Sequence, residues 1–277
     1  HVYRVNSPGI RTNSFSSWVM LFNFKLIEKA MSVMQEHDID LIHSHDWLVT
    51  FASQTLKHSY ALPLVTTIHA TEAGRNHGIH NEEQRYINDI EWWTTSEAWK
   101  VICCSQHMKD EVMINFSLPE DKVEVIENGV DEANFTAQVE KNFRDKYAFP
   151  NEKIVYFIGR LVQEKGVQVL LKAAREVLNH NSKVKFIISG DGPKQRELEM
   201  EVNNLDIAHK VGFTGRVGPK LRNSLYQIAD IAVFPSLYEP FGIVALEAMV
   251  TKNPVIVSDV GGFAEIVENK KTGLKTH

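Results

Sequence analysis

The chain has 277 residues, of which 43% are hydrophobic and 23% charged, and its formal net charge at pH 7 is −5. This acidic balance excludes the basic surface that nucleic-acid binding requires. Cys103 and Cys104 are adjacent, which excludes a disulfide framework and indicates buried thiols. No signal peptide or membrane-spanning run is recognised, so we expect a cytoplasmic protein without stable membrane insertion.

Apolar strand-like runs alternate with helical stretches along the chain, which predicts α/β layers with parallel sheets. The length allows two domains, each with its own core. The strand runs are residues 2–5, 39–43, 64–69, 101–104 and 123–126, then 154–158, 184–189, 211–213, 231–234 and 254–258. Helices are predicted at 18–35, 84–99, 167–178 and 221–228. The polar segment 134–152 divides the two series, so the predicted domains are residues 1–135 and 136–277.

Both ends of the sequence have the character of a fragment. The chain opens with His1 directly in the strand-like letters V-Y-R-V, and it stops at His277, just after a Thr-Gly turn. We therefore expect both domains to be incomplete.

The stretch 235–249 reads P-S-L-Y-E-P-F-G-I-V-A-L-E-A-M and predicts a strand-to-helix junction. Pro240 is typical of a first helical turn, which places Glu239 at or just before the helix start. Gly242 allows a ligand to approach the first-turn N–H groups, which favour a phosphate. Glu247 is expected about two turns further on, roughly 12 Å along the axis. The alternative that stays open is an ordinary capped helix with two solvated glutamates.

Two polar loops follow strands of the first half. Residues 43–47 read H-S-H-D-W, and Asp46 is expected to cap the following helix, with a possible second role in a cleft. The H-x-H spacing has no third ligand at a recognisable distance, so we predict no metal site. His69 ends a strand and opens the polar loop 69–78, where an imidazole can donate to a hydroxyl or a phosphate. A structural role for this histidine stays open.

The loop after the first strand of the second half carries two cations. Arg160 offers a planar fork and Lys165 a point charge before a helix, which indicates a diphosphate site, although both side chains could simply face water. Two Gly-containing turns, 190–193 and 213–215, also follow strands, where backbone groups could contact a nucleotide base. Neither a G-x-G-x-x-G fingerprint nor a P-loop is present.

In this order the motifs resemble the retaining glycosyltransferases of family 4, in the glycogen and starch synthase branch. The matching letters are H-S-H-D-W-L (43–48), T-x-H-A-T-E-A-G-R (67–75), N-G-V-D (128–131), G-R-L-V-Q-E-K-G (159–166), E-P-F-G-I-V-A-L-E (239–247) and S-D-V-G-G (258–262). The resemblance implies the GT-B fold, two facing Rossmann-like domains, here truncated at both ends. It assigns the acceptor to the N-terminal domain and the nucleotide sugar to the C-terminal domain.

The resemblance implies transfer of a glucosyl unit from ADP- or UDP-glucose to an α-1,4-glucan, in glycogen biosynthesis, with retention and without a metal or other cofactor. Its catalytic residues would be His69, at the donor sugar and diphosphate, Glu239, at the sugar hydroxyls, and Asp46, on the acceptor side. The donor would also be bound by Arg160, Lys165, the backbone N–H groups of Phe241, Gly242 and Ile243, and, at the ribose, Glu247. The barrier would fall through stabilisation of a leaving dianion and an oxocarbenium-like sugar.

The family's N-terminal Gly-rich loop and its C-terminal crossing helix have no counterpart in this sequence, which leaves the activity of the fragment open. Three other functions stay open as well. They are another family 4 hexosyltransferase with a small-sugar or lipid acceptor, a sugar-nucleotide epimerase, and a non-catalytic sugar-nucleotide binding module.

Overall fold

In the computed structural model the chain folds into two parallel β-sheets, with helices between successive strands. The structure describes residues 1–6, 9, 12, 14–136 and 139–277. It divides into two compact units, His1–Glu127 and Asn128–His277. Each unit holds one sheet, so the predicted α/β class with two parallel-sheet domains is confirmed.

The first unit is built on a four-stranded parallel sheet in the order β1–β2–β3–β4. Short 3-10 turns at Trp47–Val49 and Glu120–Lys122 complete it. Its elements are α1 (Phe15–Glu36), β1 (Ile42–His45), α2 (Thr50–Tyr60), β2 (Leu64–Ile68), α3 (Glu72–Asn76), α4 (Glu82–Glu97), β3 (Lys100–Cys103), α5 (Gln106–Phe116) and β4 (Val123–Val125).

The second unit has a six-stranded parallel sheet in the order β10–β9–β8–β5–β6–β7. Its 3-10 turns are Glu132–Phe135, Arg144–Lys146 and Gln163–Lys165. Its elements are β5 (Lys153–Ile158), α6 (Val167–His180), β6 (Val184–Ser189), α7 (Gln195–Asn204), β7 (Val211–Gly215), α8 (Pro219–Ile228), β8 (Ile231–Phe234), α9 (Ile243–Val250), β9 (Val255–Ser258), α10 (Gly261–Ile266) and β10 (Leu274–Thr276).

Strand β5 marks the place where the chain reverses its direction of travel across the second sheet. It pairs with β6 on one side and with β8 on the other, and all these pairs are parallel. The loops that leave β5 and β8 therefore emerge side by side at the carboxyl edge. Ligands of open α/β sheets bind at such a switch point.

The predicted strand at residues 2–5 is wrong. Residues 1–6 form no strand, and Tyr3 instead binds His37, with 2.7 Å between the phenolic oxygen and Nε2. Strand β1 also lies later than predicted, because its register is set by pairing Ile42 with Leu64. Both differences arise because strands are defined by their neighbours, which a local apolar run does not specify.

The segment after Glu127 belongs with the second unit. Phe135 is buried in that unit's hydrophobic core, and Val130 packs against the same core. The sequence places the division at 135/136, whereas the chain boundary of the compact units lies between Glu127 and Asn128. The apolar side chains within residues 128–135, and not the polar composition of this segment, determine that it packs with the second unit.

Candidate functional site

The loops after β5 and β8 lie in direct backbone contact. The N–H of Leu237 donates to the carbonyl of Glu164 at 2.7 Å. Gly166 has φ +67°, and a Cβ there would lie 1.8 Å from the carbonyl oxygen of Pro235, so no other residue fits. The two loops therefore form one surface at the switch point of the second unit.

An ion pair joins these loops. Lys165 Nζ lies 2.7 Å from Glu239 Oε2, and Ser236 Oγ donates to the same carboxylate oxygen at 2.9 Å. Glu239 is 6% exposed, whereas the side chain of Lys165 is 26% exposed. The cation is therefore more open to solvent than the carboxylate, whose orientation is fixed from two sides.

Helix α9 begins later than the sequence predicts. It starts at Ile243, so Pro240 lies outside it and Glu239 is four residues from its start. Gly242, the residue before the helix, has φ +99°, and a Cβ there would lie 2.3 Å from the ring of Phe263. The prediction that Glu239 adjoins the helix start is thus wrong, because a tertiary contact sets the boundary.

The amino end of α9 is suited to an anion. Among the described residues, the backbone N–H groups of Phe241, Gly242 and Ile243 have no hydrogen-bond partner. They occupy the positive end of the helix dipole. The first turn of α10 packs beside them, since the N–H of Gly262 donates to the Glu239 carbonyl at 2.8 Å. A Cβ at Gly262 would meet the Phe241 carbonyl oxygen at 2.3 Å, which explains the glycine.

Glu247 lies about one turn inside α9 rather than two, because the helix starts late. Its Oε1 accepts from Arg222 Nη1 at 2.7 Å, and its Oε2 accepts from the Tyr226 hydroxyl at 3.1 Å. Burial raises the pKa of Glu247, while Arg222 and Tyr226 act in the opposite direction. The alternative of two solvated glutamates is therefore wrong, since both Glu239 and Glu247 are buried and paired.

Arg160 and the glycine turns lie at the carboxyl ends of their strands, as predicted. Arg160 is exposed, and its guanidinium forms no hydrogen bond or ion pair with any described residue. Gly190 has φ +131°, and a Cβ there would lie 1.8 Å from the Gly159 carbonyl oxygen. Close packing of the backbone is therefore enough to explain why residue 190 is a glycine, and no ligand contact is needed. The guanidinium of Arg160 remains accessible for binding an anion.

Asp46 and His69 of the first unit lie together. Asp46 makes no cap hydrogen bond with the turn that follows, so the predicted cap is wrong. Instead its Oδ1 accepts from the backbone N–H of His69 at 2.8 Å. Parallel pairing of His45 with Thr67 brings the ends of β1 and β2 to the same level, which allows this bond. Asp46 also has φ +57°, a conformation that costs a non-glycine residue energy.

Three imidazoles, those of His43, His45 and His69, stack in a row at this place. His45 Nδ1 lies 2.9 Å from Nε2 of His69, and His43 Nε2 lies 2.7 Å from Thr67 Oγ1. Burial, followed by the neighbouring His43 and His69, lowers the pKa of His45. The described residues include no group of three or more His, Cys, Asp or Glu side chains placed to hold a metal ion.

Sequence reasoning missed two charged residues. Glu91 on α4 is 1% exposed and accepts from the Glu72 N–H, and burial raises its pKa to about 8. The signal was its position among the buried residues Ile87, Ile90 and Thr94, which have helical spacing. Arg222 was missed as well, although it precedes Tyr226 by one helical turn on α8.

The comparisons with known families cover almost the whole chain. Residues 2–134 match the family described as Glycosyltransferase Family 4, and residues 139–276 match Glycosyl transferases group 1. No helix among the described residues is long and apolar enough to cross a membrane.

The curated relatives that are more than 30% identical include a glycosyltransferase and a glycogen synthase. An uncharacterized glycosyltransferase of Methanocaldococcus jannaschii is 39% identical over 99% of this chain and 70% of its own length. A glycogen synthase of Mycobacterium tuberculosis is 32% identical over 95% of this chain, which spans 63% of that enzyme.

Solved structures at lower identity share the fold, among them the following two. Sucrose-phosphate synthase of Thermosynechococcus elongatus has a TM-score of 0.82 at 23% identity, covering 98% of this chain and 69% of the other. HepE of Anabaena, in complex with UDP and glucose, has a TM-score of 0.78 at 24% identity, covering 95% and 70%.

Proposed function

Because this chain belongs to the family 4 glycosyltransferases of the GT-B fold, we propose that it transfers a glucosyl unit from a nucleoside diphosphate glucose to an α-1,4-glucan. The observation that carries this proposal is the Lys165–Glu239 ion pair beside the amino end of α9. It combines a cation, a set of N–H donors and a carboxylate within one small surface. A nucleotide sugar needs these three kinds of group.

The diphosphate is the leaving group, and its developing charge has to be stabilised. We propose that Lys165, Arg160 and the N–H groups of Phe241, Gly242 and Ile243 supply this stabilisation. Such preorganised donors act strongly where water is excluded, and they require no metal ion. Phe241 is buried and Ile243 is 41% exposed, so backbone groups rather than side-chain polarity make this part of the site.

The two glutamates have separate proposed tasks. Glu239, oriented by Lys165 and Ser236, would accept hydrogen bonds from the donor sugar hydroxyls. Glu247 would accept from the ribose hydroxyls. The nucleoside diphosphate of the donor is ADP or UDP in this proposal, and the complex of HepE with UDP and glucose supports a nucleotide of this class.

His69 and Asp46 are the proposed catalytic residues of the first unit. The Asp46 carboxylate fixes the backbone at His69, and the imidazole can then donate to a substrate hydroxyl or a phosphate oxygen. The glucan acceptor is supported by the glycogen synthase relative at 32% identity. Retention of configuration, glycogen biosynthesis and a cytoplasmic location form part of the same proposal.

The test is a donor and acceptor screen. The chain is incubated with radiolabelled ADP-glucose or UDP-glucose, with glycogen, maltooligosaccharides, small sugars or lipid vesicles. We expect label in the α-glucans and release of the nucleoside diphosphate. Turnover without an acceptor would favour an epimerase, transfer to a small sugar or lipid another hexosyltransferase, and binding without turnover a binding module. Any of these results would replace the glucan proposal.

A further inference from the structure

Arg222 joins the carboxylate of Glu247 to the segment at residues 134–135. Its Nη1 lies 2.7 Å from Glu247 Oε1, and its guanidinium carbon lies 5.1 Å from the ring centroid of Phe135. Its Nε donates to Asn223 Oδ1 at 3.0 Å, and Asn223 Nδ2 donates in turn to the carbonyl of Asn134. The guanidinium is therefore held by ring, amide and carboxylate together.

Glu247 depends on this contact because it is buried. A buried carboxylate loses hydration, and an opposite charge within hydrogen-bond distance compensates for that loss. Tyr226 donates to the other oxygen, but its hydroxyl carries no charge. Removing Arg222 would leave a buried carboxyl group that favours its neutral form and is oriented by Tyr226 alone.

Both carboxylate oxygens keep acceptor capacity. Each has about two lone-pair positions, and Arg222 and Tyr226 use one on each. The remaining positions form a fixed pair of acceptors, which matches two neighbouring hydroxyl groups on a ribose ring. A neutral, rotated carboxyl group would present one donor and a weaker acceptor instead.

We propose that Arg222 is a positioning residue of the donor site, which keeps the Glu247 carboxylate charged and oriented towards the two ribose hydroxyls. This inference rests on the proposed function, since it needs a nucleoside diphosphate at the site. It adds a determinant of ribose recognition that lies on α8, outside α9 and the loops that carry the other proposed donor contacts.

The experiment compares ligands that differ only in the ribose. Arg222→Gln, Arg222→Lys and wild type are titrated calorimetrically with UDP, ADP and their 2′,3′-dideoxy forms. The matched control is Lys220→Gln, which removes an exposed charge on the same helix. Thermal unfolding is recorded for every variant.

We expect Arg222→Gln to bind UDP or ADP about tenfold more weakly, the loss of one charge-assisted contact. The dideoxy forms should bind the variant and wild type equally. Arg222→Lys should recover part of the difference, and it replaces Arg222→Gln if that variant does not fold.

Two results would overturn the inference alone: equal losses for the ribose and dideoxy forms, or no loss for either. Equal losses would show that Arg222 supports the fold or the phosphate contacts rather than the ribose contact, and no loss would show that nucleotide binding does not depend on Arg222. Failure of wild type to bind any nucleoside diphosphate would overturn the proposed function as well, so the two failures are distinguishable.

Discussion

The Lys165–Glu239 ion pair predicts opposite effects of two substitutions on nucleoside diphosphate binding. In the structure the ammonium group is 2.7 Å from the carboxylate, so a bound diphosphate must share this cation with Glu239. Lys165→Ala removes the attraction, and we expect affinity for UDP or ADP to fall by about 1–3 kcal/mol. Glu239→Gln removes only the competing negative charge and keeps the side-chain shape.

The expected size of the Glu239→Gln effect follows from the solvent exposure of the Lys165 side chain. Two unit charges about 4 Å apart interact by about 1 kcal/mol in water and by about 4 kcal/mol near a protein surface. Because the Lys165 side chain is 26% exposed, we expect Glu239→Gln to strengthen UDP or ADP binding by about 1 kcal/mol. Affinity for the glucose conjugate should not improve, since Glu239 is the proposed partner of the sugar hydroxyls.

The assay is isothermal titration calorimetry at low and high salt, with Lys172→Ala as a control. Lys172 is exposed on α6 and forms no ion pair among the described residues. Both effects should shrink at high salt because partly exposed charges are screened. Weaker UDP or ADP binding in Glu239→Gln would refute the competition, and unchanged affinity in Lys165→Ala would remove the cation from the site.

Three further predictions concern pH, metal ions and the backbone. Burial raises the pKa of Glu91 from 4.5 to about 8, so between these pH values the folded protein holds a proton that the unfolded chain has lost. The contribution of Glu91 to the free energy of unfolding is therefore fully present below about pH 4.5 and is lost as the pH rises through 8. Glu91→Gln should flatten the fall in melting temperature between pH 5 and 9, and an unchanged slope would contradict the assignment. Exhaustive chelation should leave nucleotide binding and glucosyl transfer intact, because Lys165 and backbone N–H groups serve the diphosphate; loss that zinc restores would contradict the metal-free proposal. Gly242→Ala should destabilise the protein by about 2–4 kcal/mol in denaturant titrations, through its φ and its contact with Phe263, whereas Gly129→Ala should change stability by less than about 0.5 kcal/mol.

The strands were largely predictable, because a parallel strand that is covered on both faces has a nearly continuous apolar sequence. Strands β6 and β8 have the bounds that their apolar runs predict. The order of the strands was not specified by those runs. The pairing of β5 with both β6 and β8, which creates the switch point, involves partners far along the chain.

The residues of the candidate site could be predicted from the sequence, whereas the start of helix α9 and the hydrogen-bond partners of the side chains could not. The local signal of Pro240 favoured an earlier helix, whereas contact between Gly242 and Phe263 decides where α9 begins. The residue type and position of Asp46 predicted a helix cap, but its carboxylate instead accepts a hydrogen bond from the N–H of His69, at the end of the neighbouring strand. Arg222 gave no motif at all, since its role depends on the fold that brings α8 beside α9. Local patterns thus identified the loops, and tertiary contacts determined what each side chain does.

The most direct test of the donor site is a crystal structure of this chain with UDP or ADP bound. The diphosphate oxygens should lie within hydrogen-bond distance, about 3 Å, of Lys165 Nζ and of the N–H groups of Gly242 or Ile243. The ribose hydroxyls should contact Glu247, while Arg222 still donates to Glu247 Oε1. A nucleotide bound away from the ends of β5 and β8, or with its ribose turned from Glu247, would contradict the proposed donor site.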